Sequence, residues 1–178
     1  MKKVIFSLLL FFSTTCLYAQ DLVAGVFFGE SYENAKKTLD KRFHGGEDSY
    51  QPDRNEINYY EISFGGENFD HAGFVFQTDG TYTYLSFMSF QKRFELNELK
   101  EAKEMRDRLS YTYYSKYKNI HEDIDDKGFK YYILSKEDNG KFDITISLTK
   151  DKNKKGNMKY WVIVSYGPEY AIDPSDEI

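Results

Sequence analysis

Between residues 142 and 149 the chain alternates without a break, with Phe142, Ile144, Ile146 and Leu148 set against Asp143, Thr145, Ser147 and Thr149. Successive side chains of an extended strand point to opposite faces, so this run predicts a pleated strand with one buried and one wet face. A helix would scatter the same apolar residues around its circumference. Runs of similar character fall at about 57–64, 69–78, 81–91, 129–135 and 159–167, and the clean one extends over about 142–150. Gly65-Gly66, Asp79-Gly80 and Asn139-Gly140 stand between neighbouring runs. Asp-Gly and Asn-Gly supply the positive φ angles of tight hairpin turns, so the strands are predicted as antiparallel meanders.

Two segments have the other period. Ser31 can cap a helix reaching about Phe43, in which Tyr32, Ala35, Leu39 and Phe43 share a face and Gly45-Gly46 supplies a stop. Asn97 can cap a second helix reaching about Tyr117, with Leu99, Ala102, Met105, Leu109 and Tyr113 as its apolar stripe. The order is helix, three strands, helix, three strands. It predicts an α+β fold in which antiparallel sheet, in one piece or two, carries both helices on one face. One domain at 20–168 is expected, with repeats at about 22–91 and 94–168 and an acidic tail at 169–178.

The first residues follow a different logic. Lys2 and Lys3 precede an apolar stretch at 4–12, and Ala19 supplies a small residue for cleavage. This pattern predicts a secretory signal peptide over 1–19, and hence a periplasmic or secreted protein. The apolar stretch falls short of the roughly 20 residues of a membrane span. The single cysteine, Cys16, lies within this leader. Lipid attachment there is the lesser reading, because Ser13 and Thr15 stand where lipoprotein signals place Leu and a small residue. Cleavage at Ala19 would leave no thiol for a disulfide, a nucleophile or a metal.

The chain carries 24 basic and 29 acidic residues, a formal charge of −5. Nucleic-acid binders need a basic surplus, so that partner is not expected. The densest basic run, from Lys150 through Lys152, Lys154 and Lys155 to Lys159, reads as a solvated hairpin loop. His44, His71 and His121 are far apart and make no zinc spacing. His44 is expected at a helix end. A calcium loop starting at Asp123 would place Lys127 at the fifth position and Leu134 at the twelfth, where oxygen ligands are required. The cluster Glu122, Asp123, Asp125 and Asp126 therefore reads as a charged loop between helix and strand. Ser147-Leu148-Thr149-Lys150 has the S-x-x-K spacing, but it is mid-strand and lacks its companion elements. Tyr114 and Lys118 stand at a reductase-like spacing without a Gly-rich nucleotide turn. No catalytic residue, metal ligand or cofactor is predicted. A hydrolase remains an alternative only through carboxylates that converge in space.

What stands out is the aromatic content, 16 Tyr and 15 Phe with one Trp. In the last strand Tyr160, Val162, Val164 and Tyr166 read as the core side, which turns Trp161 to the other face. In the 81–91 run Leu85 and Phe87 oppose Tyr82, Tyr84, Met88 and Phe90. With helices on one face, the other is expected to present Tyr82, Tyr84, Tyr132 and Trp161 as a partner-binding surface. Tyr and Trp suit interfaces because a rigid ring offers area and a polar handle.

The segment Phe28-Gly29-Glu30-Ser31-Tyr32-Glu33-Asn34-Ala35, with Leu39, leads through an aromatic-Gly-x-Ser step into an amphipathic helix. With the tandem helix-then-meander plan, it resembles the β-lactamase-inhibitor-protein-like group and is similar to the SmpA/OmlA-type outer-membrane assembly proteins. The second half has Phe94-Glu95-Leu96-Asn97 in place of that step. Such proteins act by binding other proteins, and the resemblance implies the same here: a non-catalytic interaction module with a protein partner. A glycan or small ligand is the alternative, since aromatic platforms also stack on sugar rings.

Overall fold

The computed structural model describes residues 22–45, 47–51, 54–80, 82–114, 116–117, 119–135, 144–153 and 155–167. The leader with Cys16, the Asn139-Gly140 turn with the start of its strand, and the 169–178 tail lie outside the described residues. The chain order is α1 (Tyr32–Phe43), β1 (Glu47–Gln51), β2 (Arg54–Phe64), β3 (Glu67–Asp79), β4 (Tyr82–Phe94), α2 (Leu99–Tyr114), β5 (Asn119–Ile124), β6 (Lys130–Ser135), β7 (Ile144–Lys152) and β8 (Met158–Tyr166). The strands form one antiparallel sheet of eight, in the order β1-β2-β3-β4-β8-β7-β6-β5. The two meanders meet where β4 pairs with β8, from Met88↔Tyr166 to Phe94↔Tyr160. The α+β class, the antiparallel sheet and the helices packed against it are as the patterning predicts.

One row of side chains crosses six strands: Tyr59, Ala72, Phe90, Val164, Ile146 and Tyr132 are successive cross-strand partners. All six are buried. Both helices lie over this face. Phe43 of α1 packs on Tyr59 with ring centroids 5.3 Å apart, and Ala35 and Leu39 are fully buried. Tyr113 of α2 meets Tyr166 edge-on at 6.3 Å. The next row, Asn58, Gly73, Ser89, Ser165 and Thr145, lies on the uncovered face and is small or polar.

Ser31 caps α1 with its hydroxyl on the Asn34 N–H. The helix stops at His44, which adopts the left-handed conformation with φ 59°. The sequence places His44 at a helix end, and it is the C-cap here. α2 begins at Leu99, after a turn in which Glu98 Oε2 accepts from the Glu95 N–H at 2.6 Å. It ends at Tyr114, short of Tyr117, where the run Tyr111 to Tyr114 weakens helix propensity.

Two strands were not foreseen. β1 lies where the sequence shows no apolar alternation, and β5 occupies part of the acidic stretch that reads as a charged loop. β5 is an outer strand, and His121, Glu122, Asp123 and Ile124 are exposed along it. An edge strand solvated on both faces shows no apolar alternation, and its charges deter further pairing. Asp125 then makes the turn, its Oδ1 accepting from the Lys127 and Phe129 N–H groups at 3.0 and 2.7 Å.

Candidate functional site

The predicted aromatic surface does not assemble. Tyr132 is a correction: it faces the helices, not the open side, and is only 7% exposed. Its hydroxyl donates to Asp107 Oδ1 at 3.1 Å, and the Arg106 guanidinium lies 5.8 Å from its ring centre. Burial, together with the Asp107 carboxylate, pushes its phenol above the usual range. Tyr132 and Leu134 form the core side of β6, while Tyr131 and Ile133 turn the other way.

Strict alternation also fails in β4, for a local reason. The β3–β4 register shifts between Val75 and Phe76, which leaves Ser86 as an extra residue between Leu85 and Phe87. A bulge of this kind changes the phase of the strand. Leu85, Met88 and Phe90 thereby all reach the core, although parity puts Leu85 opposite the other two. Tyr82 and Tyr84 do stand together, with rings 6.1 Å apart and nearly parallel. The Tyr82 hydroxyl donates to the Gly29 carbonyl at 2.9 Å. They sit at the start of β4, while Trp161 pairs with Arg93 near its end. At roughly 3.3 Å per residue that separation is about 30 Å. Trp161 is partly exposed on the uncovered face, as predicted.

Around Trp161 the uncovered face sinks into a basin of about 1100 Å³. β2 supplies Glu56, Asn58, Tyr60 and Glu61, and β3 supplies Asp70 and His71. Gln91, Arg93 and the following Glu95 come from the β4 side. Lys159 and Trp161 of β8 complete it with Asn153, Lys155 and Asn157 of the β7–β8 turn. The core alternation of β2 explains the first group. Ile57 and Tyr59 are buried, so Asn58 and Tyr60 must face away, and Tyr60 is 49% exposed.

Several of these groups are held in place. His71 Nε2 and Asn58 Oδ1 are 2.5 Å apart, and the Tyr60 and His71 ring centres are 5.3 Å apart. A Cβ on Gly73 would come within 2.7 Å of Glu56 Oε1, so the missing side chain lets the Glu56 carboxylate lie along the sheet. Glu61 has φ 52°, a left-handed conformation rare for a residue of its kind within a strand. Lys159 is ion-paired with Glu95. Asn153 Oδ1 holds the turn by accepting from the Lys155 and Asn157 N–H groups.

Of the four residues predicted to bind a partner, the basin contains Trp161 alone, and it also takes in His71, Lys155 and Lys159. Tyr60, Asn58, Gly73 and Arg93 were missed. The signal available for Tyr60 was the parity of Ile57 and Tyr59, which assigns it to the open face. Among the described residues no group of three or more His, Cys, Asp or Glu side chains is placed to hold a metal, and no helix is long and apolar enough to cross a membrane. No family model, curated protein or solved structure matches the chain.

Proposed function

We propose that this chain is a non-catalytic binding module that receives its partner on the uncovered face of the sheet, in the basin between Tyr60 and Trp161. It works in the periplasm or outside the cell, where the leader ending at Ala19 would direct it. The observation that carries this reading is the asymmetry of the sheet. Both helices cover one face, and the other keeps a basin lined by two partly exposed aromatic rings and a dense set of hydrogen-bonding groups. Sites of specific recognition are concave and carry a few well-placed polar groups. The partner is either a protein surface, as the resemblance to inhibitor-type and assembly proteins suggests, or a saccharide.

The test is comparative capture. Immobilised mature protein and a Tyr60→Ala/Trp161→Ala variant are each exposed to envelope and culture-fluid fractions, with Tyr111→Ala as control. Tyr111 is 81% exposed on α2 and remote from the basin. The expected result is a protein or polysaccharide retained by wild type and control and lost by the double variant. Identical profiles from all three would overturn the reading.

A further inference from the structure

We propose that the basin is a binding site for a neutral saccharide chain, with sugar rings seated on Trp161 and Tyr60 and their hydroxyls held by the amides and carboxylates between. This rests on the binding-module reading above and names its ligand class.

The first argument is the chemistry of the walls. Among the described residues the lining contains no Leu, Ile, Val, Met, Ala or Phe. The buried cores of protein interfaces and the pockets for apolar small molecules are dominated by such side chains. Here the apolar side chains are the rings of Tyr60 and Trp161, and the other lining side chains all end in groups that donate or accept hydrogen bonds. A sugar has the same division: flat C–H faces that stack on aromatic rings, and a rim of hydroxyls that donate and accept. Amides such as Asn58 and Gln91 can do both toward a hydroxyl, and carboxylates such as Glu56 accept from two at once.

Charge supplies the second argument. Carboxylates at Glu56, Glu61, Asp70 and Glu95 face Arg93, Lys155 and Lys159, so neither sign dominates. Two of the carboxylates are already engaged, Asp70 with Lys92 and Glu95 with Lys159. A polyanion or polycation would meet as much repulsion as attraction, whereas a neutral ligand meets neither.

The third argument is spacing. Tyr60, His71, Gln91 and Ile163 are successive cross-strand partners, and Trp161 is two residues along from Ile163. Three interstrand steps of about 4.8 Å and two residues of about 3.3 Å set the Cα atoms of Tyr60 and Trp161 on the order of 15 Å apart. A short oligosaccharide spans that distance and a single sugar does not. The floor between them is preset, with Asn58 fixed by His71 and Glu56 laid over Gly73.

Trp161 is the only tryptophan, so its fluorescence reports on the basin alone. Neutral oligosaccharides built on glucose, mannose, xylose and N-acetylglucosamine are titrated into the full mature chain, with heparin as a polyanionic comparison. At least one neutral class is expected to change the emission saturably, with a dissociation constant that hardly moves between low and high salt. By calorimetry, Tyr60→Ala and Asn58→Ala should each weaken it by about fivefold or more, the usual loss at a residue that matters for binding. Tyr111→Ala should leave it unchanged. No saturable response to any neutral sugar, or a response untouched by Tyr60→Ala, overturns the proposal. So does binding of heparin alone with a steep salt dependence. If no sugar binds while a captured protein is lost in the Tyr60→Ala/Trp161→Ala variant, the saccharide falls and the binding module stands.

Discussion

The carboxylate of Asp70 accepts from the backbone N–H of Arg93 at 2.7 Å, doing with a side chain what a strand would otherwise do with a carbonyl. The β3–β4 ladder stops at His71↔Gln91, although β4 goes on pairing with β8 as far as Phe94. Asp70 bridges this gap, and its other oxygen takes Lys92 Nζ at 3.0 Å. The two strands thus part beside the basin without losing each other. Asp70→Ala should lower stability by about 1 kcal/mol, a typical net value for a partly exposed hydrogen bond. Asp70→Asn, which keeps an acceptor for the Arg93 N–H, should recover most of that loss. Denaturant titration of the three proteins checks the order, and equal loss in both variants would assign the effect to the Lys92 ion pair instead.

Gly73 invites the opposite kind of substitution. It lies within β3, and a Cβ there meets the flexible end of Glu56 at 2.7 Å rather than backbone. Glu56 can swing away at little cost, and alanine in a strand is favoured over glycine by about 0.5–1 kcal/mol. Gly73→Ala should therefore fold as well as wild type, within about 0.5 kcal/mol or slightly better. Binding in the basin should fall, because Glu56 is displaced from beside His71. Melting temperature and ligand affinity measured together give the test, and a fall in both would mean that the glycine serves the fold.

The architecture was readable from the sequence wherever burial is one-sided. β7 and β8 alternate as their patterns demand, with Tyr160, Val162, Val164 and Tyr166 inside and Trp161 out. Ser31, Ala35 and Leu39 place α1 for the same reason. Reading failed where no single period governs. β5 is exposed along most of its length and has nothing to alternate. The bulge at Ser86 inverts the parity of β4 halfway along, and no local composition announces it. Alternation separates Tyr132 from Tyr131 and Ile133 without saying which side is core, and the row through Ile146 and Val164 decides it. A surface assembled from four strands depends on their mutual register, and register is a property of pairs rather than of any one segment.

The two rings that alternation treats alike should therefore differ in cost. Tyr132 is buried under α2 and touches Arg106 and Asp107. Tyr132→Ala should destabilise by about 3 kcal/mol, in the range for removing a buried aromatic. Tyr132→Phe, which frees only the Asp107 hydrogen bond, should cost about 1 kcal/mol. Trp161→Ala, at a partly exposed position, should cost no more than about 1–2 kcal/mol. Urea unfolding of the three variants tests this ranking. A larger loss at Trp161 than at Tyr132 would place the indole in the core and remove it as a platform for any ligand.

Behind the sheet, α2 and β8 share a second polar contact with a consequence for pH. The hydroxyls of Tyr113 and Tyr166 are hydrogen-bonded to each other, among the rings of Phe64, Phe90 and Tyr117. Burial pushes both phenols above their ordinary range, and the neighbouring Tyr113 raises Tyr166 further. Their folded values exceed their unfolded ones, so the stability they contribute is complete below about pH 10, the unfolded value of a tyrosine. Above that, the unfolded chain releases protons that the native one retains, and stability falls as pH rises. The slope for each such group is roughly 1.4 kcal/mol per pH unit until its folded value is reached. Tyrosine absorbance should accordingly show phenols that ionise at higher pH in the folded chain than in the unfolded one. The Tyr113→Phe/Tyr166→Phe variant keeps the rings and removes both ionisations, so its stability should decline less steeply above pH 10 than that of wild type. Parallel alkaline profiles for the two proteins would show that these hydroxyls ionise as freely in the folded chain as in the unfolded one.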